Sequence, residues 1–222
     1  MMHRIRKSVI KKMIIFFMFF IIGFEHYGLY ALTGVATGWY RTDLVPGIAS
    51  DGPGLFSTYR GYTSNTVAGG TVANWKYEME HSKFVFMQAH GAPGRILIYN
   101  DLVLTALYIS TMSFSSTPRL VYISACKSGA NSTTYGNIGS TLVNKGVGTV
   151  VAFTDNVSYY SFDPSGGINL FNSTTAYYLS RYNYSVTAAL NKGATVLFNQ
   201  EGAYYGADSR VVYGNTGKIW SC

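Results

Sequence analysis

Two residues in this sequence have side chains that could act together in nucleophilic chemistry, and each follows a short apolar run. His90 comes shortly after residues 84–87 (FVFM), and Cys126 comes shortly after residues 120–123 (LVYI). A cysteine thiolate is a strong nucleophile, and a nearby imidazole can take its proton and later protonate a leaving amine. Because an isolated cysteine or histidine is usually structural, this interpretation depends on the paired pattern.

Gly91 directly follows the histidine and adds a third element to the pattern. Glycine lets a backbone approach a substrate closely, and backbone N–H groups can stabilise the negative charge of a developing oxyanion. The amides of Gly91 and Cys126 could therefore form an oxyanion hole.

The two apolar runs predict buried strands of a parallel sheet. Further strands are expected near residues 35–41, 149–153 and 210–213, helices near 102–112, 137–145, 168–182 and 185–199, and turns at 46–47 and 51–54. This alternation indicates an α/β fold with a mainly parallel sheet covered by helices on both faces. Ligands bind at the carboxyl ends of such strands, so His90 and Cys126 should face one substrate carbonyl.

The two motifs resemble those of a known group of peptidases. Residues 84–94 (FVFMQAHGAPG) are similar to the histidine signature of legumain-type peptidases, and residues 120–129 (LVYISACKSG) are similar to their cysteine signature. The same pair of motifs marks caspases, gingipains and CHAT domains, so the sequence resembles the caspase-like clan. The similarity covers residues 84–154, with weaker support from residues 211–214.

This resemblance implies a fold and a set of site residues. Residues 32–222 are expected to form a caspase-like three-layer sandwich with cysteine peptidase activity. The resemblance implies that His90 is the general acid and base, that Cys126 is the nucleophile, and that the Gly91 and Cys126 amides are the oxyanion hole.

The sequence also departs from the legumain pattern. Legumains have aspartate where this chain has Ala89, and they have an acidic residue in the tripeptide before the cysteine, which is Ile-Ser-Ala here. The clan is therefore better supported than legumain itself. In the clan, the loop after the next strand helps to form the primary pocket, and here it contains Asp155. This carboxylate either selects a basic substrate side chain or caps its own loop, and Asp43 is a further candidate, for orienting His90.

Most of the excess positive charge lies at the N-terminus. Five of the 17 Lys and Arg residues fall within the first twelve positions, and without residues 1–31 the chain has 12 basic and 9 acidic residues, which leaves no basic footprint for nucleic acid. Residues 13–24 (MIIFFMFFIIGF) are too short an apolar run for a typical spanning helix. They predict a signal peptide or an uncleaved N-terminal anchor, and hence a secreted or cell-surface protein.

The only other cysteine is Cys222, so Cys126 is either free or bridged to it. No spacing typical of metal ligands, phosphate loops or dinucleotide sites occurs. The first hypothesis is a secreted or surface-exposed cysteine endopeptidase that cleaves peptide bonds through a thioester acyl-enzyme and needs no cofactor. The alternative is a catalytically inactive caspase-like module that binds a partner at the cell surface.

Overall fold

A central β-sheet with helices on both faces forms the core of the protein. The structure is a computed structural model that describes residues 34–99, 102–159 and 166–219. Its elements are, in chain order, β1 (Val35–Tyr40), α1 (Ile48–Arg60), β2 (Thr63–Ala68), α2 (Val72–His81), β3 (Ser82–Gln88), β4 (His90–Ala92), β5 (Arg95–Tyr99), β6 (Leu102–Thr105), α3 (Ala106–Thr111), β7 (Leu120–Ser124), α4 (Ile138–Asn144), β8 (Thr149–Phe153), α5 (Ile168–Tyr182), α6 (Val186–Glu201) and β9 (Arg210–Gly214).

Within the described residues, six strands form the main sheet in the order β2-β1-β3-β7-β8-β9. The first five are parallel to one another, and β9 pairs antiparallel with β8. A small antiparallel sheet, β4-β5-β6, follows the histidine strand β3. The prediction of an α/β fold with a mainly parallel sheet between two helical layers is confirmed.

Alternating side chains of β3 pack on the two faces of the sheet. Phe84 and Phe86 contact Phe56 of α1, with ring centroids 4.6 and 5.2 Å apart. Val85 and Met87 belong to the core on the other face, together with residues of α2, α3 and α4 (Trp75, Met79, Ile109, Ile138 and Leu142). A strand that is buried on both faces has a continuous apolar sequence, which makes β3 recognisable from its residues alone.

The predicted turn at residues 51–54 is wrong, because these residues lie inside α1. Pro53 has no N–H to donate to the carbonyl of Ala49, four residues earlier. That carbonyl packs against Gly38 of β1, where an added Cβ would lie 1.5 Å from the Ala49 oxygen. Gly38 and Pro53 therefore reflect close packing between α1 and β1, and Pro53 does not mark a turn.

The helix predicted at residues 102–112 is only partly correct. Residues Leu102–Thr105 form β6, which pairs antiparallel with β5, and only Ala106–Thr111 is helical. Thr105 marks the boundary, because its side chain accepts a hydrogen bond from the N–H of Tyr108 at 3.0 Å. A short apolar run is compatible with strand or helix, and here the pairing with β5 decides.

The patterns above also miss α2, although its start has a sequence signal. The Thr71 side chain accepts a hydrogen bond from the Asn74 N–H, and the Asn74 side chain accepts one from the Thr71 N–H. This reciprocal pair is a capping box in which asparagine takes the place of the usual glutamate or glutamine.

The predicted signal peptide or anchor at residues 1–31 lies outside the described residues, as does Cys222. None of the helices in the part of the chain that the structure describes combines the length and the apolar character needed to cross a membrane.

Candidate active site

His90 and Cys126 follow two neighbouring strands at equal distances from the last paired residues. β3 and β7 are adjacent and parallel, and their pairing ends with Gln88 opposite Ser124. The Ala89 N–H then donates to the Ser124 carbonyl at 3.2 Å. Each candidate residue lies two positions beyond this pair, so the sheet places both at the same carboxyl edge.

The backbone of Gly91 packs directly against the cysteine. A Cβ at Gly91 would lie 2.3 Å from the carbonyl oxygen of Cys126 and 3.1 Å from the Ala125 side chain. Only glycine fits this contact without displacing the cysteine backbone. The structure thereby brings the His-Gly and Ala-Cys motifs together, as the sequence predicts, although the glycine here meets the protein's own backbone.

A sharp turn follows Cys126 and fixes its backbone. Lys127 has a φ of 52°, in the left-handed region that a residue with a side chain adopts only when its surroundings hold it there. The Lys127 N–H donates to the Asp155 carbonyl at 2.9 Å, and the Gly129 N–H donates to the Phe153 carbonyl at 2.7 Å. These bonds tie the turn to the end of β8, and they place Cys126 next to the loop that follows that strand.

The sulfur of Cys126 contacts the backbone of that loop. Cys126 is a free, partly buried thiol. Its Sγ lies 3.5 Å from the Val157 carbonyl oxygen, as donor, and 3.4 Å from the Val157 nitrogen, as acceptor. A backbone N–H and a carbonyl are therefore both directed at the candidate nucleophile.

The side chain of His90 is half exposed and contacts a carboxylate. Its Nε2 lies 3.4 Å from Asp43 Oδ2, and Asp43 Oδ1 accepts a hydrogen bond from Arg41 Nε at 2.6 Å. The hydrogen bond from Arg41 lowers the pKa of Asp43 below its usual value, so this carboxylate stays ionised at neutral pH. Asp43 is thus placed where it can orient the imidazole.

Each residue of the proposed dyad therefore has another partner. Among the hydrogen bonds of the described residues, none joins His90 to Cys126. The arrangement corresponds to a site in which the imidazole pairs with Asp43 and the thiol with Val157. The hydrogen bond between a catalytic base and its nucleophile is often long in an unliganded enzyme and shortens only when substrate binds.

Asp155 lies next to the site but its side chain forms a local contact. Its Oδ1 accepts a hydrogen bond from the Asn156 N–H at 2.7 Å, and the residue is exposed. This geometry is typical of an aspartate that caps its own loop. The groove of about 500 Å³ that α1 and α5 form has neither His90 nor Cys126 among its lining residues.

Sequence reasoning missed a polar network beneath the cysteine. Ser124 is fully buried, and its Oγ lies 2.8 Å from the Tyr159 hydroxyl and 2.8 Å from Asn172 Nδ2. Asn172 Oδ1 in turn accepts a hydrogen bond from the Tyr122 hydroxyl at 2.8 Å. The hydrogen-bonded partners lie 35 to 50 positions apart in sequence, so no local pattern predicts these contacts.

The site has no arrangement suited to a metal ion. Throughout residues 34–99, 102–159 and 166–219, no group of three or more His, Cys, Asp or Glu side chains is placed to hold one. The polar groups that contact the Cys126 sulfur are the backbone carbonyl and N–H of Val157.

No family model matches the chain, and no curated protein is similar to it in sequence. A solved structure of a protease aligns with a TM-score of 0.56 and 14% identity, over 83% of this chain and 48% of its own. A chain of the Saccharomyces cerevisiae separase–securin complex aligns with a TM-score of 0.54 and 16% identity, over 87% of this chain and 13% of its own. Caspase-1 from Spodoptera frugiperda gives a TM-score of 0.46 and 11% identity, over 87% and 94%.

The two alignments with TM-scores above 0.5 show that the chain shares its α/β fold with these two structures. The order and direction of the strands in the main sheet are consistent with the caspase-like architecture that the sequence predicts. The chain spans less than half the length of the first two matched chains.

Proposed function

We propose that the protein is a cysteine endopeptidase of the caspase-like clan, with His90 and Cys126 as its catalytic residues. One observation carries the proposal: both residues lie two positions beyond the Gln88–Ser124 pair, and Gly91 packs on the Cys126 carbonyl. A fold shared with proteases adds support, although folds alone do not determine function.

The chemistry follows from these positions. His90 takes the proton of the Cys126 thiol, and the thiolate attacks the carbonyl carbon of the scissile peptide bond while the amides of Gly91 and Cys126 stabilise the oxyanion. When the carbon–nitrogen bond breaks, His90 gives its proton to the leaving amine and a thioester remains on the sulfur. His90 then takes a proton from water, which attacks the thioester. The carbon–sulfur bond breaks, the carboxylic acid leaves, and the proton returns from His90 to the sulfur.

Asp43 fits this scheme as a partner of the imidazole. Its carboxylate lies 3.4 Å from Nε2, where it can hold the ring in the orientation that proton transfer requires. In this scheme Nδ1, the other ring nitrogen, exchanges the proton with Cys126 and with the substrate.

The proposed location of this activity rests on the sequence. The basic stretch and the apolar run within residues 1–31 support export, either as a cleaved signal or as an anchor at the cell surface. The peptide substrates would then be extracellular or surface proteins.

The experiment is hydrolysis of a diverse peptide library by the full chain. We expect cleavage that Cys126→Ala and His90→Ala each abolish, whereas Cys222→Ser and His81→Ala leave it unchanged. Cys222 and the exposed His81 serve as matched controls for the loss of a cysteine and a histidine. Absence of cleavage by folded protein, or a Cys126–Cys222 disulfide in that protein, would favour the inactive binding module.

A further inference from the structure

The loop that follows β8 holds the Cys126 sulfur by its backbone. Val157 is 5% exposed, and its carbonyl and N–H both lie within 3.5 Å of Sγ. A thiol held between these groups is shielded on that side, and it can donate its S–H proton to the Val157 oxygen.

Residues 155–159, which we call the latch segment, are fixed to the rest of the fold at several points. The Asp155 carbonyl accepts from the Lys127 N–H at 2.9 Å. The Ser158 N–H donates to the Tyr205 carbonyl at 3.0 Å, and the Ser158 carbonyl accepts from the Ile168 N–H at 3.2 Å. The segment can therefore keep Val157 at a defined distance from the sulfur.

Tyr159 connects the latch segment to the strand that carries the cysteine. Its hydroxyl donates to the Ser124 carbonyl at 2.8 Å and lies 2.8 Å from Ser124 Oγ. Ser124 Oγ also accepts a hydrogen bond from Asn172 of α5. Burial raises the pKa of Tyr159 above its usual value, so the hydroxyl keeps its proton and remains a donor at every physiological pH.

We propose that the latch segment is a regulatory element that keeps the Cys126 thiol in a resting position, and that Tyr159, together with the backbone bonds of Asp155 and Ser158, holds it closed. In this state the thiol pairs with Val157 while His90 pairs with Asp43. Release of Tyr159 from Ser124 lets Val157 withdraw, which frees the thiol to turn towards the imidazole. The inference rests on the proposed role of Cys126 as nucleophile, and it assigns a control mechanism to that same site.

The test measures the rate of iodoacetamide alkylation at Cys126 in the folded full chain at pH 7. The chain has a second cysteine, Cys222, so mass spectrometry is used to measure the label on Cys126 alone. Tyr159→Phe removes both hydroxyl contacts with Ser124, and we expect it to raise the rate about three- to tenfold, as for a lost hydrogen bond. Ser124→Ala removes only the Oγ contact and should give a smaller increase.

Tyr178→Phe is the matched control. Tyr178 lies on α5 in a cluster of tyrosine rings. Loss of its hydroxyl should leave the alkylation rate of Cys126 at the wild-type value. A rate in Tyr159→Phe that equals or falls below wild type would overturn the latch, and the Ser124→Ala rate applies the same criterion if Tyr159→Phe does not fold.

Iodoacetamide needs no peptidase activity, so this result is separate from the proposed function. A faster rate in protein that cleaves no peptide would support the latch and contradict the peptidase. Peptide cleavage with unchanged alkylation rates would do the reverse.

Discussion

The imidazole of His90 lies between solvent and the carboxylate of Asp43, and Arg41 keeps that carboxylate ionised. A single charged group at this position can set the orientation of the ring. The role of Asp43 is therefore open to direct measurement.

We expect Asp43→Asn to lower the rate of peptide cleavage about tenfold, because the ring loses its orienting charge. Asp208→Asn, at an exposed aspartate of the short 3₁₀ helix Ala207–Ser209, is the control and should not change the rate. Steady-state kinetics on the best library peptide would measure both. Equal rates for wild type and Asp43→Asn would show that the 3.4 Å contact has no part in the reaction.

Asp155 leads to a prediction about specificity. Because its carboxylate accepts a hydrogen bond from the Asn156 N–H, it is already engaged by its own loop. We expect Asp155→Asn to leave the ratio of cleavage after arginine to cleavage after asparagine unchanged, within about twofold. A selective loss of cleavage after arginine would instead assign Asp155 to the substrate pocket.

The proposed catalytic residues could be predicted more readily than the residues that contact them. His90 and Cys126 each end an apolar run, which is a local pattern. Val157 and Tyr159 contact the site through bonds that join positions 31 and 35 apart, and no local pattern encodes such contacts. These contacts depend on the path that the chain takes after β8.

At the scale of single elements, α1 shows how packing overrides local propensity. Its residues Gly52, Pro53 and Gly54 predict a turn, yet the helix continues through them because Phe56 packs on the aromatic face of β3. The two glycines have different surroundings. A Cβ at Gly52 would lie 2.5 Å from the Phe86 ring, whereas one at Gly54 would meet nothing within 4 Å.

This difference predicts opposite effects of the same substitution. Gly52→Ala should lower the free energy of unfolding by about 1–3 kcal/mol, because the buried ring must move. Gly54→Ala should raise it by about 0.5–1 kcal/mol, because alanine restricts the unfolded chain and favours the helix. Urea denaturation of both variants measures the pair, and the same sign for both would contradict the packing of α1 on β3.

Glu80 gives α2 a pH-dependent contact. Hydrogen bonds from Lys76 at 2.6 Å and from the Ser115 N–H at 2.7 Å lower the pKa of Glu80 to about 2. A carboxyl group whose pKa is lower in the folded than in the unfolded chain stabilises the fold at pH values above its unfolded pKa, here near 4.5. That contribution is lost as the pH falls towards the folded pKa of about 2.

We therefore expect Glu80→Gln to have a lower Tm than wild type at pH 7, with a difference that shrinks steadily between pH 4.5 and pH 2. Circular dichroism melting curves across this range would measure it. A Tm difference that stays constant with pH would contradict the ionised contact, and Asp208→Asn again serves as the control.

The whole molecule has an architecture that its sequence largely predicts. Strands β3, β7 and β8 are buried on both faces, so their apolar runs are unambiguous, and α4, α5 and α6 begin within one residue of the predicted starts. The order of the strands could not be predicted in the same way, because it depends on which helical faces pack together. The N-terminal third of the fold was the hardest to predict, since its polar edge strand β2 has little apolar pattern.

Within the described residues, the His-Gly and Ala-Cys motifs meet at the carboxyl edge of β3 and β7, and the proposed dyad lies there. One measurement tests this most directly: labelling of the folded full chain by peptidyl acyloxymethyl ketones with arginine, lysine, asparagine or aspartate leading groups, with the modified residue identified by mass spectrometry. We predict covalent labelling at Cys126 by at least one probe, and loss of that labelling in His90→Ala. Absence of labelling by every probe, or labelling that persists without His90, would contradict a His90–Cys126 dyad.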